Sequence, residues 1–331
     1  MKHSAANIFT ATKWLILVSA YAFLAYKLVV FDDYAALAAH FADAGAAQYL
    51  CLLVVFLLVP FNLALEAAKW RLLLSGLQPV SFCYAMKSVL IGQTGAFFTP
   101  NRLGDFPTRA LLLRSEHVVP AVALGCVGSV AQTAVITFFG VLAAVFYVAM
   151  VQPDFVVSAS YLSIALFVAA VVAVLILVGV SLGCYGRLAA RLQRSRHRWV
   201  HLLGDGLAYL TQSRLWSVVA LSALRFVVFS SQFYAMLLFM NVLITPMQAL
   251  VAIPTIYLLV TYTPSFAFSE AVVRGSYAIL ILSAFSSNEA GMAFAGVLLW
   301  VVNYCLPMLV GSFLFRRSKM CNSPNYAERN D

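Results

Sequence analysis

The sequence has 331 residues, of which 63% are hydrophobic and 10% are charged, and its formal net charge is +9. Soluble domains are about 45–50% apolar and about 25% charged, so this composition excludes a soluble globular protein and equally a disordered chain. The remaining class is an α-helical protein that crosses a membrane several times. In that class a positive net charge reflects basic cytoplasmic loops, so we expect no nucleic-acid partner.

Several apolar segments are long enough to cross a bilayer, which takes about 20 residues. In chain order they are 14–31, 48–68, 118–150, 160–183, 215–241 and 291–315. The first segment has no clear cleavage site, so we interpret it as an uncleaved span and not as a signal peptide. Two further apolar regions, 82–116 and 247–287, are interrupted midway by Pro and charged residues.

Basic residues indicate which end of each segment faces the cytoplasm. Lys2 places the N-terminus inside, and Arg316 places the end of the last span inside. Region 82–116 lies between basic stretches that both belong in the cytoplasm, so it is predicted to enter and leave from that side as a re-entrant hairpin. The same assignment of the span ends to the two sides of the membrane makes region 247–287 begin and end outside. It is therefore predicted as a second hairpin that enters from the opposite side of the membrane.

These assignments predict an all-α polytopic membrane protein with about six full crossings and two oppositely oriented, broken helical hairpins. Residues 1–315 are expected to form one domain with halves at about 14–150 and 160–315, followed by a disordered cytoplasmic tail at 316–331. Opposite entry indicates an inverted-topology repeat, a pattern found in transporters. We expect the protein in the inner (cytoplasmic) membrane, with both termini in the cytoplasm.

The two hairpins carry the same order of residue types: Thr-Pro, then an acid, then an Arg four residues after the acid. The order is Thr99, Pro100, Asp105 and Arg109 in the first hairpin, and Thr263, Pro264, Glu270 and Arg274 in the second. The four-residue spacing places acid and Arg on one helix face. Each pair is either a self-contained ion pair or an anion-binding Arg that the acid orients, and the sequence leaves both open. The prolines break helices and free backbone groups that can line a site.

Three further cations are candidates for the same positive cavity: Arg71, Arg102 and Arg225. Arg225 lies some 15 Å into its span at about 1.5 Å per residue, and the alternative is that it pairs with Glu66 or Glu270. Arg71 and the nearby Lys69 are more typical of interface anchors than of ligands. The predicted substrate-binding residues are Arg109, Asp105, Arg274, Glu270, Arg102, Arg71, Arg225, Pro100 and Pro264. We predict no catalytic residue, metal ligand or cofactor, because no nucleotide-binding loop or metal-spacing motif is present.

Two stretches resemble the membrane domain of the lysylphosphatidylglycerol synthases. The first comprises residues 69–73 (KWRLL) and 92–109, with the family's order of Pro, Arg, Gly-acid and Arg at Pro100, Arg102, Gly104, Asp105 and Arg109. The second runs from Pro264 to Glu270, although Ser, Phe and Ala replace the family's glycines there. The resemblance spans about residues 10–315. It implies a flippase-like domain that moves lipids with polar head groups between leaflets; in the synthases the cargo is an aminoacylated phosphatidylglycerol.

The leading expectation is therefore a lipid flippase or translocase that is not an enzyme. Its partners would be membrane lipids with anionic or zwitterionic head groups, and further partners would be a second copy of the chain or a separate synthase. No soluble transferase domain follows residue 315, so we expect no lysyl transfer. One alternative is a membrane-embedded transferase acting on a lipid phosphate, with Asp105 or Glu270 as base. The other is a non-transporting partner subunit whose buried charges are structural.

Overall fold

The computed structural model describes residues 40–97, 99, 102–151, 184–265 and 267–317. Within these ranges the chain forms helices joined by turns and contains no strand. The predicted spans 14–31 and 160–183 lie outside the described residues, as does nearly all of the predicted tail.

We number the eleven α-helices of the described residues in chain order. They are α1 (Ala46–Leu74), α2 (Phe82–Phe97), α3 (Asp105–Ala110), α4 (Val118–Val151), α5 (Cys184–Gln193), α6 (Arg198–Ala208), α7 (Gln212–Phe239), α8 (Pro246–Tyr262), α9 (Ala267–Leu282), α10 (Glu289–Trp300) and α11 (Leu306–Arg317). A single π-helical turn, Val301–Cys305, joins α10 to α11 into one continuous segment.

Four segments of the described chain are long and apolar enough to cross a membrane: Ala46–Leu74, Ser115–Val151, Gln212–Phe239 and Glu289–Arg316. They correspond to the predicted spans 48–68, 118–150, 215–241 and 291–315. The prediction of an all-α polytopic membrane protein is confirmed. Three of the four helical segments extend beyond the predicted spans at both ends because helix geometry continues into the polar flanks, where apolar length gives no signal. Helix α7 starts three residues earlier than predicted and ends two residues earlier.

Both interrupted regions form pairs of packed helices with a break between them. The first pair is α2 and α3, of 16 and 6 residues, and the second is α8 and α9, of 17 and 16 residues. The first hairpin is therefore much shorter on its return side. The opposite orientation of the hairpins and the inverted repeat stay predictions. Between the two hairpins along the chain, the short amphipathic helix α6 precedes α7 and is separated from it by a turn.

Glycine allows α3 to lie directly on α2. A Cβ atom at Gly95 would overlap Thr108 Oγ1 and would lie 2.7 Å from the Gly104 carbonyl oxygen. One turn earlier, Gly92 lies against the side chains of Asp105 and Arg109. The first hairpin thus holds its acid and its Arg against the backbone of α2.

The apolar core has two main parts. One surrounds α7, α8 and α10, and the other joins α1, α2, α4 and α6. Helix α7 packs along α1, and α11 packs along α2. As a result, the last spanning segment lies beside the first hairpin, and its π turn faces the point where α2 ends.

Candidate functional site

Glu66 on α1 is the centre of a buried group of charges, which we call the Glu66 cluster. Its carboxylate accepts hydrogen bonds from Lys69 Nζ at 2.8 Å, Arg109 Nη1 at 2.7 Å and Arg225 Nη1 at 2.5 Å. Arg109 also donates through Nε to Asp105 Oδ1 at 2.6 Å and through Nη2 to Asp105 Oδ2. The cluster therefore connects α1, α3 and α7.

The Glu66 cluster sets three cations against two carboxylates, and two of its donor atoms make further contacts. Arg225 Nε donates to Asn62 Oδ1 at 2.7 Å, and Lys69 Nζ lies 3.5 Å from the Gly128 carbonyl oxygen. The Glu66 side chain is only 8% exposed. Because buried charges are tolerated only when they are paired and hydrogen-bonded, this arrangement is a cross-link between helices.

A narrow pocket lies where the two helix breaks meet the last spanning segment, and we call it the break pocket. Its lining residues are Gln93, Phe97, Arg102, Glu270, Trp300 and Tyr304. Arg102 follows the first break, and Glu270 lies in the first turn of α9 after the second break. Both hairpins therefore contribute a charged residue to one pocket. The pocket is a narrow crevice that leaves no room for a bound head group in this arrangement of the helices.

Arg102 occupies this pocket in an unusual backbone conformation. Its φ is +62°, in the left-handed region that costs a non-glycine residue about 1–3 kcal/mol. Its Nη2 donates to Gln93 Oε1 at 2.6 Å, and its guanidinium lies 3.6 Å from the centre of the Tyr304 ring. No carboxylate pairs with it in the part of the chain that the structure describes. The pocket thus contains a guanidinium that Gln93 and Tyr304 hold in place and that no described carboxylate pairs with.

The acid and Arg of the second hairpin form an ion pair behind this pocket. Arg274 Nη2 donates to Glu270 Oε1 at 2.9 Å and lies 3.5 Å from the Tyr304 hydroxyl. Arg274 is 3% exposed, and its Nε has no hydrogen-bond partner among the described residues. Glu270 lines the pocket while Arg274 does not. The pair therefore presents its negative end to the pocket.

The π turn places two aromatic side chains in the pocket wall. Trp300 precedes the turn and Tyr304 lies within it. The Trp300 indole N–H is buried and has no acceptor among the described residues. Single π turns within α-helices are rare and often occur at functional sites. The pocket wall thus carries an unused hydrogen-bond donor.

Residues 13–311 match the sequence family described as the lysylphosphatidylglycerol synthase TM region. The chain belongs to this family. The match includes both hairpins, the Glu66 cluster and the break pocket, so the resemblance on the two stretches is confirmed. No curated protein sequence matches the chain significantly. Membership of the lysylphosphatidylglycerol synthase TM family supports a function that involves membrane lipids.

The structure brings most of the predicted site residues into one of two places. Asp105, Arg109 and Arg225 belong to the Glu66 cluster, and Arg102 and Glu270 line the break pocket with Arg274 behind them. The first hairpin's ion pair is not self-contained, since Arg109 also bonds Glu66. Of the two acids proposed as partners for Arg225, Glu66 is the one that binds it.

Three of the predicted residues lie elsewhere. Arg71 is exposed in the last turn of α1 and joins neither group of charges in the described chain. Pro264 is exposed between α8 and α9, and Pro100 lies outside the described residues. For Lys69 the interface-anchor interpretation is wrong: its side chain is 3% exposed because Glu66, one turn earlier, binds it inside the protein.

Sequence analysis missed Trp300, Tyr304 and Asn62. Trp300 and Tyr304 are four residues apart, a spacing that puts them on one helix face. In an apolar span, aromatic residues at this spacing are typical of the core. The spacing therefore points to a binding site only once the break pocket is known. Asn62 carries a stronger signal, because it is polar and lies one turn before Glu66 on the same face.

Proposed function

We propose that this protein is a lipid translocase, which moves a phospholipid or lipid-linked polar head group between leaflets without chemical change. The head-group phosphate would bind in the break pocket at Arg102. The observation that carries the proposal is the guanidinium of Arg102: both hairpins line the pocket around it, and no carboxylate of the described residues forms an ion pair with it. Family membership adds independent support for a lipid ligand.

The residues around Arg102 suit a phosphate group. A guanidinium is planar, stays charged and binds phosphate through two parallel hydrogen bonds. The Arg102 guanidinium uses one N–H group to bond Gln93 and one face to stack on the Tyr304 ring, and these two contacts fix its plane. Its other N–H groups are left for a ligand. The unpaired indole N–H of Trp300 is a further donor for a phosphate oxygen.

Transport requires the pocket to open, because the pocket leaves no room for a bound head group in this arrangement of the helices. In transporters with broken helices, one repeat moves against the other and exposes a central site alternately to the two sides. The sequence has no nucleotide-binding loop, so movement would run down a gradient or be coupled to an ion or to lipid synthesis. The proposed location is the inner membrane with both termini cytoplasmic, and a second copy or a separate synthase is the proposed partner.

Arg102→Gln tests this function. We expect transport to fall about 10- to 100-fold, since a charge-assisted hydrogen bond contributes about 1.5–3 kcal/mol. The measurement is the rate at which purified protein, reconstituted in vesicles, moves an acyl-chain-labelled phospholipid across the bilayer. Gln retains a polar side chain at this position without the charge.

Arg71→Gln is the matched control, because Arg71 is exposed and lies outside both groups of charges. It should leave the rate unchanged. A full transport rate in Arg102→Gln would overturn the proposed phosphate site. Arg109 is a poor test of transport, because its removal leaves Glu66 and Asp105 without a shared cation and threatens folding.

The Glu66 cluster supports one element of the partner-subunit alternative, namely that buried charges here are structural. Each of its charged groups has a partner. We therefore assign the Glu66 cluster to stability and the break pocket to ligand binding.

A further inference from the structure

We infer that the break pocket selects a compact zwitterionic phospholipid, with the phosphate at Arg102 and the head-group ammonium at Glu270. This inference rests on the proposed function and names its substrate class. It starts from the two charged residues that line the pocket, one cation and one anion.

Glu270 is the residue that a site for a purely anionic ligand would not contain. Its carboxylate lines the pocket, and its hydrogen bond to Arg274 is made through Oε1. Oε2 has no hydrogen-bond partner in the described chain. A carboxylate beside a bound anion is repulsive, and at low dielectric this repulsion is strong. A ligand that also carries a positive group converts the repulsion into an attraction.

The rest of the pocket wall suits an ammonium group. Phe97 and Trp300 lie in it beside Glu270. Aromatic faces attract alkylammonium ions, and Trp does so most strongly. A pocket lined by a carboxylate and by aromatic rings is therefore a suitable environment for a small organic cation.

The distance between the two charges indicates a short head group. Tyr304 contacts both sides: Arg102 lies over its ring at 3.6 Å, and its hydroxyl lies 3.5 Å from Arg274 Nη2, which bonds Glu270. The cationic and anionic sides of the pocket are thus separated by about one Tyr side chain. A phosphate and an ammonium joined by a two-carbon linker match this spacing, whereas the longer linker of an aminoacyl ester places its ammonium group farther from the phosphate.

The first test uses the wild-type protein and varies the lipid. Reconstituted protein is given acyl-chain-labelled phosphatidylethanolamine, its N-acetyl derivative, phosphatidylglycerol and lysyl-phosphatidylglycerol in separate vesicles. We expect phosphatidylethanolamine to move about tenfold faster than the other three, a ratio that corresponds to about 1.4 kcal/mol. The N-acetyl derivative keeps the phosphate and loses the cation, so it isolates the contribution of the ammonium group.

Equal rates for phosphatidylethanolamine and its N-acetyl derivative would overturn the selectivity while leaving lipid transport standing. Faster movement of lysyl-phosphatidylglycerol would overturn the limit on head-group size. If no lipid moves, the proposed transport is overturned. The lipids that stay bound during purification, identified by mass spectrometry, then decide the selectivity: enrichment of zwitterionic lipid supports it, and bulk composition contradicts it.

The second test is Glu270→Gln, which removes the negative charge and keeps the side-chain length. We expect the preference for phosphatidylethanolamine over phosphatidylglycerol to fall about tenfold. Because this change leaves Arg274 without its carboxylate, the double variant Glu270→Gln with Arg274→Met is compared with it. Removing both members of a buried pair is often tolerated. A folded double variant that retains the wild-type preference would overturn the role of Glu270.

Discussion

Glu66→Gln should destabilise the protein severely. Lys69, Arg109 and Arg225 all bond the Glu66 carboxylate. Its loss leaves these three cations, two of them buried and one partly buried, with only the Asp105 carboxylate among them. Removing one partner of a buried ion pair costs about 3–5 kcal/mol, a large part of the 5–15 kcal/mol that typically stabilises a folded protein. The measurements are the yield of monodisperse protein after detergent extraction and the midpoint of thermal unfolding.

Glu116→Gln is the matched control for this change. The Glu116 side chain is 67% exposed and lies 3.6 Å from His117, so we expect a change in stability of less than about 0.5 kcal/mol. If Glu66→Gln unfolds at the same temperature as the wild type, the Glu66 cluster does not hold the helices together. Its residues would then become candidates for ligand binding again.

Gly95→Ala should also lower the stability, although by less than Glu66→Gln. The new Cβ atom would overlap Thr108 Oγ1 and lie 2.7 Å from the Gly104 carbonyl oxygen, so α3 must move away from α2. Overpacking of this kind costs about 1–3 kcal/mol. The displacement also moves Arg109 relative to Glu66, which weakens the Glu66 cluster. The measurement is the midpoint of thermal unfolding in detergent.

The same substitution at Gly186 provides the comparison. Gly186 is also helical, but a Cβ there meets no atom within 4 Å. Since Ala is favoured over Gly in helices by about 1 kcal/mol, Gly186→Ala should leave the midpoint unchanged or raise it. Equal midpoints for the two variants would contradict the close contact between α2 and α3.

The fold class and the broken hairpins follow from local properties of the sequence. Apolar length identifies the spans, and the proline and charged residues within 82–116 and 247–287 identify the breaks. The Asp105–Arg109 contact follows from helix periodicity alone. These features need no knowledge of which helices meet.

The features that sequence analysis missed depend on the approach of distant helices. Glu66 bonds Arg225 across 159 positions of the chain, and no local pattern encodes that choice. Lys69 and Arg71 look alike in the sequence, yet two helical steps rotate a side chain by about 200°, so one points inward and the other outward. The left-handed backbone at Arg102 is equally invisible, because it depends on how the first break packs against Tyr304.

The arrangement around Glu66 also bears on biogenesis. Helix α1 precedes α7 in the chain, and within α1 the Glu66–Lys69 bond neutralises two charges before any other helix arrives. Arg225 has no acid on its own helix, so α7 inserts with an unpaired charge that costs about 2.5–3.5 kcal/mol at the centre of a bilayer. Glu66 is already present to receive it. Because α1 is synthesised first, the Glu66 carboxylate is in place before the Arg225 guanidinium. The apolar residues of α7 therefore have to offset the cost of the unpaired Arg225 charge only until α7 packs against α1.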